Sequence, residues 1–126
     1  MVYLTRKIEF SASHRLHSVQ LGEEENWRVY GKCNNPYGHG HNYVVEVAVS
    51  GPVNQATGMI ANLTELDAFV ESEVIEPFDH KYLNEEVAEF SKNVPTAENI
   101  CIEIFHRLSR FPQARLERVR LSLIHI

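Results

Sequence analysis

The stretch YVVEVAVS, residues 43–50, decides the fold. Tyr43, Val45, Val47 and Val49 alternate with a second set that contains Glu46. That is the two-residue period of a strand with one buried face. Its β-branched residues suit a pleated surface. The segment feeding into it, Gly31–Tyr43, reads GKCNNPYGHGHNY and carries the chemistry. His39 and His41 are separated by one glycine, and Cys33 precedes them by six residues.

Upstream, Val2–Ser13 places Tyr3, Ile8, Phe10 and Ala12 in a partly alternating pattern, predicting a first strand that runs into SASHRLH. The acidic GEEEN after Leu21 and the glycine-rich segment read together as a loop. Downstream, GPVNQATG reads as a turn into a short strand at Met59–Ile60. Asn62-Leu-Thr-Glu65 has capping-box spacing, and Leu63, Leu66, Val70 and Val74 follow at helical intervals up to Pro77. FDHKYLNEE reads as a polar connection. Thr96 caps a second helix with Ala97, Ile100, Cys101, Ile104, Phe105 and Leu108 on one broad apolar face. The closing LERVRLSLIHI alternates Val119, Leu121 and Leu123 with Arg120, Ser122 and Ile124, as a strand does. The order β, β, short β, α, α, β predicts an α+β domain, an antiparallel sheet with two helices on one face. With no internal repeat or linker, residues 1–126 read as a single domain.

Composition narrows the function classes. The chain is 44% hydrophobic and 23% charged, with no apolar run long enough to cross a bilayer. The start, MVYLTRKIEF, lacks the apolar segment of a secretory signal, so a cytoplasmic location is expected. A formal net charge of −5 disfavours a nucleic-acid backbone as partner. Cys33 lies in a polar stretch and Cys101 in an apolar helical pattern; two reduced thiols are the default for such a chain.

In extended backbone, His39 and His41 present both imidazoles on one face, and they stand at the start of the strongest strand. His14 ends the first strand, and antiparallel pairing brings that end toward them. Three neutral imidazoles leave a fourth position open on Zn²⁺, the arrangement of catalytic rather than structural zinc sites. Gly38 and Gly40 let backbone crowd a metal. The same residues also allow a solvated polar loop, or a closed structural site with Cys33 as fourth ligand. His17 could replace His14 as ligand, although at strand spacing it faces the other way. His106 and His125 read as packing or surface residues, and Cys101 as core. Cys33, beside Lys32, is a candidate nucleophile or base, because the thiolate is the reactive form. Asp79-His80 offers a partner, an aspartate fixing the tautomer of an imidazole, provided the chain after Pro77 bends enough to turn the two side chains together.

FSASHRLHS at 10–18, EEN at 24–26, GKCNNPYGHGHNY at 31–43, TGMIANLTEL at 57–66, FDHKYLN at 78–84 and PTAENI at 95–100 together resemble the 6-pyruvoyl-tetrahydropterin synthase family. They cover nearly the whole chain in order. The long cysteine-to-histidine segment is closer to the tetrahydrobiopterin-pathway enzymes than to the related 6-carboxy-tetrahydropterin synthases. The resemblance implies a tunnelling fold: a four-stranded antiparallel sheet with two helices, three subunits closing a barrel, and two trimers stacking into a homohexamer. It implies zinc, one per subunit, on His14, His39 and His41, a catalytic Cys33, and an Asp79–His80 relay. The implied substrate is 7,8-dihydroneopterin triphosphate, and the reaction makes 6-pyruvoyl-tetrahydropterin with loss of triphosphate, a carbon–oxygen lyase acting on a phosphate. Thr96 falls near the pterin by the same correspondence, with Glu98 a further substrate-binding candidate.

The end of the chain departs from the family pattern. Family members carry a glutamate in a Tyr-Glu-Thr-like run there and use it to hold the pterin ring. Here Ser122 and Leu123 occupy the corresponding positions, so the C-terminal end of the domain reads as truncated or divergent. Leucine accepts no hydrogen bond, and each polar group left unpaired in a pocket costs about 1–3 kcal/mol. Glu117 is a replacement only after a register change. A non-catalytic zinc-binding relative is the corresponding alternative.

Overall fold

On the inner face of the central strand, Tyr43, Val45, Val47 and Val49 are fully buried, which is the alternation visible in residues 43–50. The computed structural model describes residues 1–125. β1 (Val2–His14), β2 (His39–Gly51) and β3 (Arg115–His125) form one antiparallel sheet in that order. Phe10 and Leu123 flank Tyr43, and Ile8 and Leu121 flank Val45, so these two rows of the inner face are apolar across all three strands; Arg6, beside Val47, pairs with Asp67 of the helix above. The opposite face carries charge, with Lys7, Glu46 and Arg120 in one row.

Two helical segments cover the inner face. α2 (Leu63–Val70) starts where the Asn62 carboxamide oxygen accepts the backbone N–H groups of Thr64 and Glu65. It continues through a π turn (Glu71–Ile75) into α3 (Glu76–Phe78). Pro77 has no N–H to give to the carbonyl of Glu73. Arg107 Nη1 donates to that carbonyl instead, at 3.1 Å, while its guanidinium lies over the Phe78 ring. α5 (Ala97–Leu108) begins at Thr96, whose hydroxyl accepts the Asn99 N–H. Leu66, Val70 and Val74 meet Ile100, Ile104 and Leu108 over the sheet in one core.

Four local expectations are corrected. Met59–Ile60 forms no strand: the Met59 carbonyl accepts the Asn54 N–H, closing a turn, so the sheet has three strands among the described residues rather than four. GEEEN is not loop but the start of α1 (Glu23–Tyr30), followed by a 3₁₀ turn (Gly31–Asn34). The polar connection after Phe78 holds α4 (Leu83–Glu86), a 3₁₀ turn (Ala88–Ser91) and a single parallel bridge from Tyr82 to Ser13. Phe105 is 41% exposed, outside the packed face of α5. Cys101 is half-buried, and that burial pushes its thiol pKa up. Among the described residues, no helix is long and apolar enough to cross a membrane.

α1 has no apolar periodicity to announce it. It is held by Asn26, fully buried, whose oxygen accepts the Ser18 N–H and whose amide donates to the carbonyls of Ser18, Leu21 and Gly22. Three glutamates in the first turn favour the same start through the helix dipole. Asn26→Ala strands these backbone groups, each worth about 1–3 kcal/mol. Urea denaturation is expected to show a loss of at least one such group, about 1–3 kcal/mol or more, and hydrogen exchange to show the opening concentrated in residues 18–30.

Candidate metal centre

His14 is the last residue of β1 and pairs directly with His39, the first of β2; His41 lies two residues further along, opposite Ala12. All three imidazoles therefore share the inner face, at the end of the apolar layer. Their ring centroids are 4.6, 5.0 and 4.7 Å apart, and their ligand-capable nitrogens all lie within 4.8 Å of one another. His14 Nε2 is 3.1 Å from His39 Nε2. Two nitrogens on one tetrahedral zinc are about 3.3 Å apart, given Zn–N bonds of 2.0–2.1 Å.

The chemistry of the donor set fits as well. The Pro95 carbonyl lies 2.7 Å from His14 Nδ1, and a carbonyl only accepts, so Nδ1 carries the proton and Nε2 turns its lone pair toward the other two rings. Burial pushes the His14 pKa down to about 4, against the Pro95 bond and with help from His39 and His41, so the ring is neutral at pH 7. Tyr43 lies under the cluster with its hydroxyl 3.4 Å from His14 Nδ1, and burial raises its pKa further. The three histidines can hold a metal ion. His17 is not among them: its Nδ1 sits 3.0 Å from the Asn34 amide nitrogen. Cys33 is likewise outside the group, which argues against a closed Cys–His₃ site.

Asp79 and His80 are brought together. Extended backbone at Asp79 is followed by a left-handed His80, φ 60°, and this bend lets two adjacent side chains meet. His80 Nδ1 is 3.0 Å from Asp79 Oδ2. Asp79 Oδ1 accepts the Ser11 N–H at 2.9 Å, and the His80 N–H donates to the Ser11 carbonyl at 2.5 Å, so the pair is fastened to the free edge of β1. The Ser11 N–H, followed by His80, holds the Asp79 carboxyl below its ordinary pKa. His80 lines a shallow cavity together with Gly40, His41, Lys81 and Tyr82, adjoining the metal cluster.

The remaining candidates lie apart from that cavity. Cys33 is half-buried in the 3₁₀ turn after α1 and is not among the residues lining it. The Thr96 hydroxyl is engaged as the cap of α5, and Glu98 is exposed on that helix's first turn. Leu123 pairs with Tyr43 on the inner face, while Ser122 is exposed on the other. Glu117 accepts the Ser50 hydroxyl at the far end of the sheet, about nine strand residues or ~30 Å from His41, so it does not stand in for the pterin-holding glutamate. Neither Pro95 as the anchor of His14 nor Tyr82 against Gly38 has a signature in the sequence, because both contacts join chain segments far apart.

Three imidazoles on paired strands beside an edge-bound aspartate–histidine pair mark an α+β domain with a site that could hold a metal ion. Residues 3–123 match the profile of the 6-pyruvoyl tetrahydropterin synthase family, and the chain belongs to that family. The 6-pyruvoyl tetrahydrobiopterin synthase of Poecilia reticulata is 50% identical over 114 residues, covering 90% of this chain and 78% of the relative. The human protein of the same name is 45% identical over 119 residues, 94% of this chain and 82% of the relative. The structure of Caenorhabditis elegans 6-pyruvoyl tetrahydropterin synthase superposes with a TM-score of 0.91 at 39% identity, covering 96% of this chain and 87% of that one.

The two glycines flanking His39 separate a fold effect from a spacing effect. At Gly38, φ +77°, a Cβ would stand 3.0 Å from the Tyr82 ring and 3.2 Å from the His14 carbonyl; at Gly40 its closest neighbour is 3.8 Å away. Gly38→Ala is expected to destabilise the chain by roughly 1–2 kcal/mol for the left-handed backbone alone and to weaken metal retention. Gly40→Ala should do neither. Thermal melts and zinc content after dialysis measure both.

Proposed function

We propose that the chain is a zinc-dependent 6-pyruvoyl-tetrahydropterin synthase, eliminating triphosphate from 7,8-dihydroneopterin triphosphate in tetrahydrobiopterin formation. The supporting observation is the three-histidine cluster, its ligand-capable nitrogens within 4.8 Å of one another, with His41 also lining a cavity next to His80. His14 through Nε2, with His39 and His41, would hold the zinc. That ion supplies positive charge that steadies negative charge on the side-chain oxygens of the substrate.

The chain's own residues carry the proton transfers. Asp79 Oδ2 accepts a hydrogen bond from His80 Nδ1–H, which keeps that proton on Nδ1 and leaves Nε2 as the exchanging nitrogen. His80 is largely exposed and so faces outward to meet a reacting group. Cys33 as thiolate removes and returns protons at the substrate side-chain carbons, where the neighbouring ring C=N delocalises the charge. Cys33 and His80 line different parts of one chain, so the relay pair serves the cysteine of a neighbouring copy in a homo-oligomer, a dimer of trimers. Thr96 and Glu98 would lie near the pterin. A non-catalytic zinc-binding relative is the second reading, favoured by Leu123, whose side chain gives the pterin no acceptor.

The test is triphosphate release by the purified, zinc-loaded chain. Release is expected, falling at least ~10²-fold in Cys33→Ala with zinc content unchanged. Zinc lost with the cysteine would show a structural site. No release from folded, zinc-bound protein would leave the non-catalytic reading standing. Product analysis separates 6-pyruvoyl from 6-carboxy chemistry.

A further inference from the structure

The segment after His14 and the turn that carries Cys33 are stitched together by bonds that nothing in the proposed chemistry uses. The Leu16 N–H donates to the Cys33 carbonyl at 2.9 Å. Arg15 Nε donates to the Asn34 carbonyl at 2.9 Å. Asn34 Nδ2 lies 2.7 Å from the Leu16 carbonyl and 3.0 Å from His17 Nδ1. A carbonyl cannot donate, so the Leu16 contact fixes which way the amide points. Its second hydrogen then goes to His17 Nδ1, placing the proton of neutral His17 on Nε2. Asn34 is the buried residue of this turn, 9% exposed, whereas Cys33 beside it is half-buried.

The other end of the stitched segment is fixed independently. Asn84 accepts the Arg15 N–H and donates to the Arg15 carbonyl, both at 2.8 Å. His14 is held by the Pro95 carbonyl and by its pairing with His39. Removing the Asn34 amide therefore leaves the metal-facing strand in place and loosens the turn on which the thiol rides, which keeps only the bonds to the Cys33 and Asn34 carbonyls.

We infer that Asn34 is a positioning residue that sets where Cys33 stands relative to the histidine cluster; the inference rests on the reading of Cys33 as the proton-transfer group. It makes the cysteine turn an extension of the strand that ends at His14, so thiol and metal site share one frame although eighteen residues of loop, helix and turn, 15–32, separate His14 from Cys33.

Asn34→Ala and the isosteric Asn34→Asp test this; the aspartate keeps the volume but cannot donate to Leu16 or His17. Three readouts are taken on the zinc-loaded protein: zinc content, kcat and KM for triphosphate release, and the rate of iodoacetamide alkylation at Cys33, located by mass spectrometry. Both variants are expected to keep zinc, to lose ten-fold or more in kcat with KM within about three-fold, and to alkylate Cys33 at least three-fold faster. Unchanged kcat and alkylation in a folded variant overturns the inference, as does loss of zinc in proportion to activity, which would make Asn34 a support of the ligands. If Asn34→Ala does not fold, Asn34→Asp decides alone. If the wild-type chain releases no triphosphate, the functional reading fails on its own, while zinc content and alkylation still decide whether Asn34 holds the turn.

Discussion

The structure depends on one register. β1 and β2 pair so that His14 stands opposite His39, and every other feature of the site follows from it. A slip of one residue would turn Phe10, Ala12 and His14 to the charged face and remove the apolar row beneath the helices. The core therefore holds the site in place. Tyr43, Val45, Val47 and Val49 are each fully buried, and at roughly 1.5–3 kcal/mol per buried apolar side chain they together outweigh any single hydrogen bond near the histidines, net about 0.5–1.5 kcal/mol. The energy that fixes the ligands comes from a strand whose next residues have no chemistry at all.

Placing three imidazoles at the end of an apolar layer carries a conflict that the local structure resolves. A buried charged ring would be costly, and burial keeps His14 neutral, the form that offers a lone pair. The Pro95 carbonyl then assigns the tautomer. Asp79 and His80 are fastened to the same strand by a different device, the Asp79 carboxylate and the His80 N–H bonding the Ser11 backbone at the sheet edge, with the left-handed turn at His80 bringing both side chains together. One strand thus carries a histidine of the three-imidazole cluster at its end and anchors the aspartate–histidine pair along its edge.

Much of this was legible in the sequence because it is periodic. The two-residue alternation of 43–50 predicted β2 and its buried face, and the i, i+2 spacing of His39 and His41 predicted two imidazoles on one side. Antiparallel pairing then supplied His14. The Asn62 and Thr96 caps marked both main helices where they begin. What was not legible is held by single polar side chains rather than by pattern. α1 rests on the buried amide of Asn26, in a stretch whose glutamates read as loop. The expected strand at Met59–Ile60 is a turn because its backbone bonds close locally onto Asn54. Asn34 looks like one of two asparagines in a polar loop until its amide is seen reaching Leu16 and His17, and no spacing rule distinguishes it from Asn35.

The most direct test of the central claim is the X-ray absorption spectrum of the zinc-loaded protein. Three imidazole nitrogens and a light-atom fourth ligand at about 2.0–2.1 Å, with no sulfur shell, are the expected result. A scatterer at about 2.3 Å would place a thiolate on the metal, contradict an open three-histidine centre, and return Cys33 to a structural role.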